Sequence, residues 1–310
     1  MMEYIKGITF ASFAHKGVLG KEQARSSLDH LIKETNANYV MLVPNALQDT
    51  PQSEEIDYKL AATMSDSELL DCVAYIKDKG LRVAIKPTVN CRNGAWRAHI
   101  NFFDEDVPCE PKWSNWFQSY TEFQLHFAQL AQKCDCDMFF PGCEMVQSER
   151  REDEWRKLIS DIRNVYGGLI SYNTDKYQEH NVKWWDAVDV ISSSGYYPIN
   201  DWENQLNRIE KVVAQYKKPF LFAECGCMST AGANLVPNDW KVKGKVDLDG
   251  QADWFKAMFC ACEKRDWVRG FVIWDWAWKQ YQPSAAKTHG GYDIYCKPAQ
   301  QVVAEFYGRM

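Results

Sequence analysis

Two glutamates stand at the ends of apolar runs, where a charge is costly to bury unless it is paired or used. Glu144 directly follows Met138-Phe-Phe-Pro-Gly-Cys143, and Glu224 directly follows Pro219-Phe-Leu-Phe-Ala223. Two carboxylates facing one cavity suit the cleavage of an acetal. One protonates the departing oxygen while the other attacks the anomeric carbon or activates a water there. Either glutamate alone would serve equally well as the partner of a nearby Arg or Lys. The pair carries more weight because Tyr196-Tyr197 ends another apolar run and Trp274-Asp-Trp276 ends a further one. Flat indoles at such a place can cover the apolar face of a sugar ring. Trp274, Trp276 and Trp278 are spaced by two, so on a regular strand they would share one face. Lys86, at the end of Leu81-Arg-Val-Ala-Ile-Lys, offers a rival chemistry, because a lysine on a barrel strand is the nucleophile of Schiff-base lyases.

These groups need a scaffold that brings the ends of many strands together. Eight short apolar runs recur, at 5–11, 39–44, 81–87, 138–142, 168–173, 189–196, 219–226 and 269–276, with helix-compatible stretches between most of them. The runs are nearly continuous rather than alternating, which indicates parallel strands covered on both faces. Eight such units in about 300 residues predict an α/β fold, a (β/α)8 TIM barrel, as one domain over residues 1–310. Function then sits at the C-terminal ends of the strands. A doubly wound sheet is the structural rival, but no glycine-rich phosphate loop follows the first run. Ser65-Asp-Ser-Glu68 reads as a capping box opening a helix, with Gly80 as its stop. Segments 88–115 and 227–249 are long for connections and read as walls of the site. Only about 20 residues separate the fifth and sixth runs, so any helix there must be short.

Composition narrows the classes further. Of 310 residues, 46% are hydrophobic and 25% charged, and the net charge of −6 gives no basic surplus for nucleic acid. Aromatic residues reach 14%, with 13 Trp, more than a core usually requires, so about half are expected outside it. The six histidines are scattered, and no ligand spacing for a metal is present. No metal, nucleotide or other cofactor is expected. The eleven cysteines include the pairs Cys134/Cys136, Cys225/Cys227 and Cys260/Cys262. Placed two apart on strands, each pair would point to one face as small buried thiols in a reducing compartment. The first residues show no basic stretch followed by a long apolar run, and 18 consecutive apolar residues occur nowhere. A cytoplasmic protein without a membrane span is therefore expected.

The constellation resembles the retaining glycoside hydrolases of clan A, and within that clan it looks most like glycoside hydrolase family 113, the β-1,4-mannanases. The segments that carry the likeness are Phe140-Pro-Gly-Cys-Glu-Met145, Ser194-Gly-Tyr-Tyr-Pro198, Phe220-Leu-Phe-Ala-Glu-Cys-Gly226, Gly270-Phe-Val-Ile-Trp-Asp-Trp276 and Tyr295-Cys-Lys-Pro-Ala299. The resemblance implies that Glu224 is the nucleophile, Glu144 the acid/base and Tyr196 the group that orients Glu224. It implies a β-mannan or manno-oligosaccharide substrate, with β-glucan, xylan or a β-mannoside as the alternative, and a binding barrel without turnover as the rival of a different class. Most of the clan has Asn before the acid/base, where it holds the sugar 2-hydroxyl; here that residue is Cys143, a poor donor. Lys86, Asn90 and Asn173 are the candidates to replace it, and Trp274 and Trp276 the candidates for the sugar platform.

Overall fold

The structure is a computed structural model that describes residues 2–310. Its strands are β1 (Ile5–Phe10), β2 (Tyr39–Leu42), β3 (Asn45–Gln48), β4 (Arg82–Ile85), β5 (Thr88–Cys91), β6 (Met138–Phe139), β7 (Leu169–Thr174), β8 (Val190–Ser194), β9 (Phe220–Cys225) and β10 (Val268–Trp276). Its helices are α1 (Glu22–Thr35), α2 (Asp66–Asp78), α3 (Trp113–Lys133), α4 (Glu152–Arg163), α5 (Trp202–Tyr216), α6 (Leu248–Cys262) and α7 (Pro298–Arg309). Eight parallel strands close in the order β1-β10-β9-β8-β7-β6-β4-β2, so each apolar run of the sequence contributes one stave of a (β/α)8 barrel. Strands β3 and β5 continue past β2 and β4 as a separate two-stranded sheet above the mouth. Sequence patterning missed that sheet, because Asn45–Gln48 and Thr88–Cys91 carry too few apolar residues to stand out.

Strand alternation divides the core in two. Ile5, Met41, Ala84, Met138, Val190, Leu221 and Val272 fill the barrel interior, while neighbouring residues such as Val40, Val83, Ile191 and Phe222 pack outward under the helices. The outer layer absorbs most of the tryptophan surplus. Trp113, Trp116, Trp155, Trp184, Trp185, Trp202, Trp254 and Trp276 are all buried. The capping box at Ser65 forms as expected: its hydroxyl accepts from the Glu68 N–H, and the Glu68 carboxylate accepts from the Ser65 N–H. Between β7 and β8 the short connection holds only a single turn, Trp185–Ala187, in place of a helix.

The cysteine spacing does not mean what a strand reading would have it mean. Cys260 and Cys262 lie on α6, where two residues apart is over half a turn, so Cys260 is exposed and Cys262 buried. Cys134 and Cys136 straddle Asp135, whose φ of 52° makes a left-handed turn that brings the two sulfurs to 3.5 Å. Among the described residues, no helix is long and apolar enough to cross a membrane, and no group of His, Cys, Asp and Glu is arranged to hold a metal ion.

Candidate active site

Above the apolar interior the barrel turns polar. By alternation along their strands Lys86, Asn173 and Ser194 follow Ala84, Ser171 and Ser192 on the inward face, and all three are fully buried. Glu224 joins them through an irregularity. Strict alternation after Leu221 and Ala223 would send Glu224 outward, but β9 carries one extra residue opposite β8, where Ser193 pairs Phe222 and Ser194 pairs Glu224. A bulge of this kind re-aims a side chain. Two glycines fit tightly around the glutamates. A Cβ on Gly142 would lie 2.7 Å from the Tyr172 ring and 2.8 Å from Trp155. On Gly226 it would lie 2.4 Å from the Trp274 carbonyl oxygen.

Glu224 is held on both oxygens. Lys86 Nζ donates to Oε2 at 2.8 Å, and the Tyr196 hydroxyl donates to Oε1 at 2.8 Å. Burial alone would push this carboxyl up; the Lys86 charge, the hydrogen bonds from Lys86 and Tyr196, and the Arg97 charge outweigh it and hold Glu224 below the usual carboxylate range. Burial works against the Lys86 charge as well, yet nearby negative charge, Glu224 included, keeps its pKa above the usual lysine value. Tyr196, buried beside that same carboxylate, is raised far above its ordinary value and stays a donor.

Glu144 projects from the segment after β6. Its N–H donates to the Asn173 carbonyl at 2.7 Å, and its φ of 53° is a left-handed conformation that non-glycine residues rarely adopt. Ser194 Oγ donates to Oε1 at 2.7 Å, while Trp96 Nε1 and Arg97 Nη1 both donate to Oε2 at 3.2 Å. The two glutamates are joined by a buried chain of hydrogen bonds. It runs from Glu144 to Ser194, on to Asn173 Nδ2 (3.1 Å), from Asn173 Oδ1 to Lys86 (3.0 Å), and so to Glu224. Around them the walls hold two more carboxyls. Burial and the charge of Glu144 push Asp175 up to about 7, and burial pushes Asp275 up to about 6 against the bond from Ser12.

The structure redistributes the expected binding residues. Trp274 remains at the mouth, with its ring 5.9 Å from Lys86 Nζ and edge-on to exposed Phe13 at 5.8 Å. Trp276 does not. Between β1 and β10 the pairing slips, from Ile8 opposite Ile273 to Phe10 opposite Trp276, so β10 gains one residue and the period of two is broken. Trp276 therefore faces α1, where its Nε1 donates to the Ser27 carbonyl at 3.0 Å, and it is completely covered. Lys86 and Asn173 are sealed beneath Glu224 rather than open to the mouth. Asn90 is tied to Asn45 and to Arg97. Trp96 and Arg97 were missed. They lie in the long 88–115 segment, but an isolated Trp-Arg in a connection carries no spacing that separates it from an ordinary surface pair.

The whole chain superposes on a solved GH113 β-1,4-mannanase with a TM-score of 0.99 and 51% identity, covering 100% of both chains. The Glycoside Hydrolase Family 113 profile matches residues 8–297. This chain belongs to glycoside hydrolase family 113. A second family 113 structure, the β-mannanase AaManA from Alicyclobacillus acidocaldarius in complex with ManMIm, is 39% identical over 99% of this chain and 98% of that one, with a TM-score of 0.96. A β-D-glucuronidase from Dictyoglomus thermophilum, at 16% identity, shares the fold over 51% of its own length with a TM-score of 0.66. Among curated proteins no match to the chain is found. As a family 113 member the protein is a glycoside hydrolase, and the expectation of a (β/α)8 barrel enzyme holds.

Proposed function

We propose that this glycoside hydrolase cleaves β-1,4-linked mannan or manno-oligosaccharides with retention of configuration. The observation that carries the reading is the unequal treatment of the two glutamates. Each meets one cation, but Lys86 stands 2.8 Å from Glu224 and with Tyr196 holds it ionised, as a nucleophile must be, whereas Arg97 stands 3.2 Å from Glu144, whose other donors are Ser194 and Trp96. Two family 113 β-1,4-mannanase structures, each 51% identical to this chain, supply the sugar and the linkage.

In the first step Glu224 attacks the anomeric carbon as Glu144 gives a proton to the departing oxygen. Negative charge leaves the Glu224 carboxylate as the ester forms. The bonds from Lys86 and Tyr196 then weaken, and they strengthen again when water releases the sugar, so the same clamp makes Glu224 a good leaving group. In that second step Glu144 takes the proton from the incoming water. Trp274 covers the apolar face of the sugar at the cleaved bond.

Reducing-sugar release from mannan, glucomannan, xylan and cellulose tests the substrate, with proton NMR of the first-formed anomer testing retention. Mannan cleavage yielding the β-anomer first is the expected result. The α-anomer first, or a preference for xylan or cellulose, would overturn the proposal. A binding barrel would release nothing, and wild type would match Glu224→Ala.

A further inference from the structure

We propose that Arg97 donates a hydrogen bond to the 2-hydroxyl of the mannose under attack, and so sets the preference for the manno configuration. The inference rests on the proposed mannan hydrolysis and takes it to a particular donor.

Bonds to the 2-hydroxyl strengthen in the transition state of glycoside cleavage. In a β-mannoside that hydroxyl is axial and lies on the same side of the ring as the glycosidic oxygen. Its donor must therefore stand on the side of the acid, Glu144, rather than beneath the ring with the nucleophile. Lys86 and Asn173 are fully buried and already spent, one on Glu224 and Asn173, the other on Ser194 and the Thr174 carbonyl. Asn90 gives one amide proton to Asn45 Oδ1, accepts from Arg97 at Oδ1, and bonds neither glutamate. The single N–H of Trp96 goes to Glu144.

Arg97 meets each requirement. Its Nη1 lies 3.2 Å from Glu144 Oε2 and 3.8 Å from the sulfur of Cys143, and that sulfur lies 3.8 Å from Glu224 Oε2. One sulfur atom thus separates the guanidinium from the nucleophile. A guanidinium has five N–H groups. Nε is committed to the Val89 carbonyl, one proton of Nη2 to Asn90 Oδ1, and one of Nη1 to Glu144. The second proton of Nη1 meets only the Cys143 sulfur, a weak acceptor that a hydroxyl would replace with gain. Val89 and Asn90 belong to β5, so the small sheet above the mouth fixes the guanidinium plane.

Because Arg97 also touches Glu144, the test removes the need for an acid. Aryl β-mannobiosides with a 2,4-dinitrophenolate leaving group depart without protonation. One substrate carries the full sugar next to the aryl group, and the other lacks its 2-hydroxyl. Arg97→Lys and Arg97→Gln, each checked for folding by melting temperature, are compared with wild type on both. The expected result is a loss in kcat/KM of about 30-fold or more on the mannosyl substrate and of less than about 3-fold on the 2-deoxy substrate, as a bond worth some kcal/mol in the transition state requires. Equal losses on the two substrates overturn the assignment and leave Arg97 a positioning residue for Glu144. Absence of turnover of the mannosyl substrate by wild type overturns the proposed function itself, and the assignment with it.

Discussion

Nζ of Lys86 lies 2.8 Å from Oε2 of Glu224, and no part of the lysine side chain reaches solvent. A buried pair of this kind is unforgiving, since removing one partner leaves the other charge uncompensated. It also favours the ionised form of Glu224. The lysine lowers the proton affinity that burial would raise, so the carboxylate is ionised at neutral pH.

Lys86→Met should lower kcat/KM by about 10²–10³-fold, the usual loss when a preorganised electrostatic partner is removed from a site. The sign of the pH effect follows from the same pair. Without the lysine Glu224 holds its proton to higher pH, so the acidic limb of the kcat/KM profile moves upward. A profile whose acidic limb stays in place would show that Lys86 does not control Glu224.

The two glutamates should separate by the product each variant makes with azide. Glu144→Ala keeps the nucleophile, so with an activated aryl substrate it forms the glycosyl-enzyme and azide then gives a β-glycosyl azide. Glu224→Ala leaves a space on the opposite face, and azide entering there gives the α-product. Either variant without azide should lose about 10²-fold or more on mannan. Identification of the anomers by NMR checks the assignment, and exchanged anomers would reverse the two roles.

Much of this site could be read from sequence because most barrel strands keep their alternation. Lys86 and Asn173 fall inward by counting from Ala84 and Ser171, and the eight apolar runs each became a strand. Legibility failed where the count slipped by one. The extra residue in β9 is what turns Glu224 inward, and the extra residue in β10 is what turns Trp276 outward. Neither slip leaves a mark in the residue types, because it arises from how two strands pair. Arg97 and Trp96 were invisible for another reason: a connection with no periodicity gives no direction to its side chains, and only β5 and its sheet bring them over Glu144.

Glu149 gives a prediction for stability. It is buried, its Oε1 accepts from Tyr172 and Thr174, and its Oε2 has no partner. Burial, with lesser contributions from Asp175 and Glu179, pushes its pKa up to about 8 against those two bonds. The folded protein therefore keeps this proton up to about pH 8, while the unfolded chain loses it near the ordinary value of 4.5. Across that window stability falls as pH rises, because the native state binds the extra proton. Glu149→Gln imitates the protonated acid and does not titrate. Its melting temperature should approach that of wild type near pH 5 and exceed it increasingly toward pH 8. A constant difference across the range would mean that Glu149 is not protonated in the fold.

Trp274 and Trp276 stand two residues apart and should fail in opposite ways. Trp274 is only partly covered, with Lys86 Nζ 5.9 Å from its ring and exposed Phe13 edge-on to it at 5.8 Å. Stacking on an aromatic ring contributes about 1–3 kcal/mol, by analogy with bases on aromatics. Where that contribution grows as the ring flattens in the transition state, its loss appears in kcat as well as KM. Trp274→Ala should therefore lower kcat/KM by about 10–100-fold with a small change in melting temperature. Trp276 is sealed between α1 and Tyr295, and its Nε1 bonds both the carbonyl and the hydroxyl of Ser27. Trp276→Ala opens a cavity and strands those groups, at a cost of about 3–5 kcal/mol. The fraction that still folds should turn over substrate with near-normal kcat/KM. Kinetics and melting curves on both variants decide the matter. If Trp274→Ala instead lost the stability and Trp276→Ala the activity, the register slip in β10 would be wrong, and Trp276 would return to the mouth as a platform.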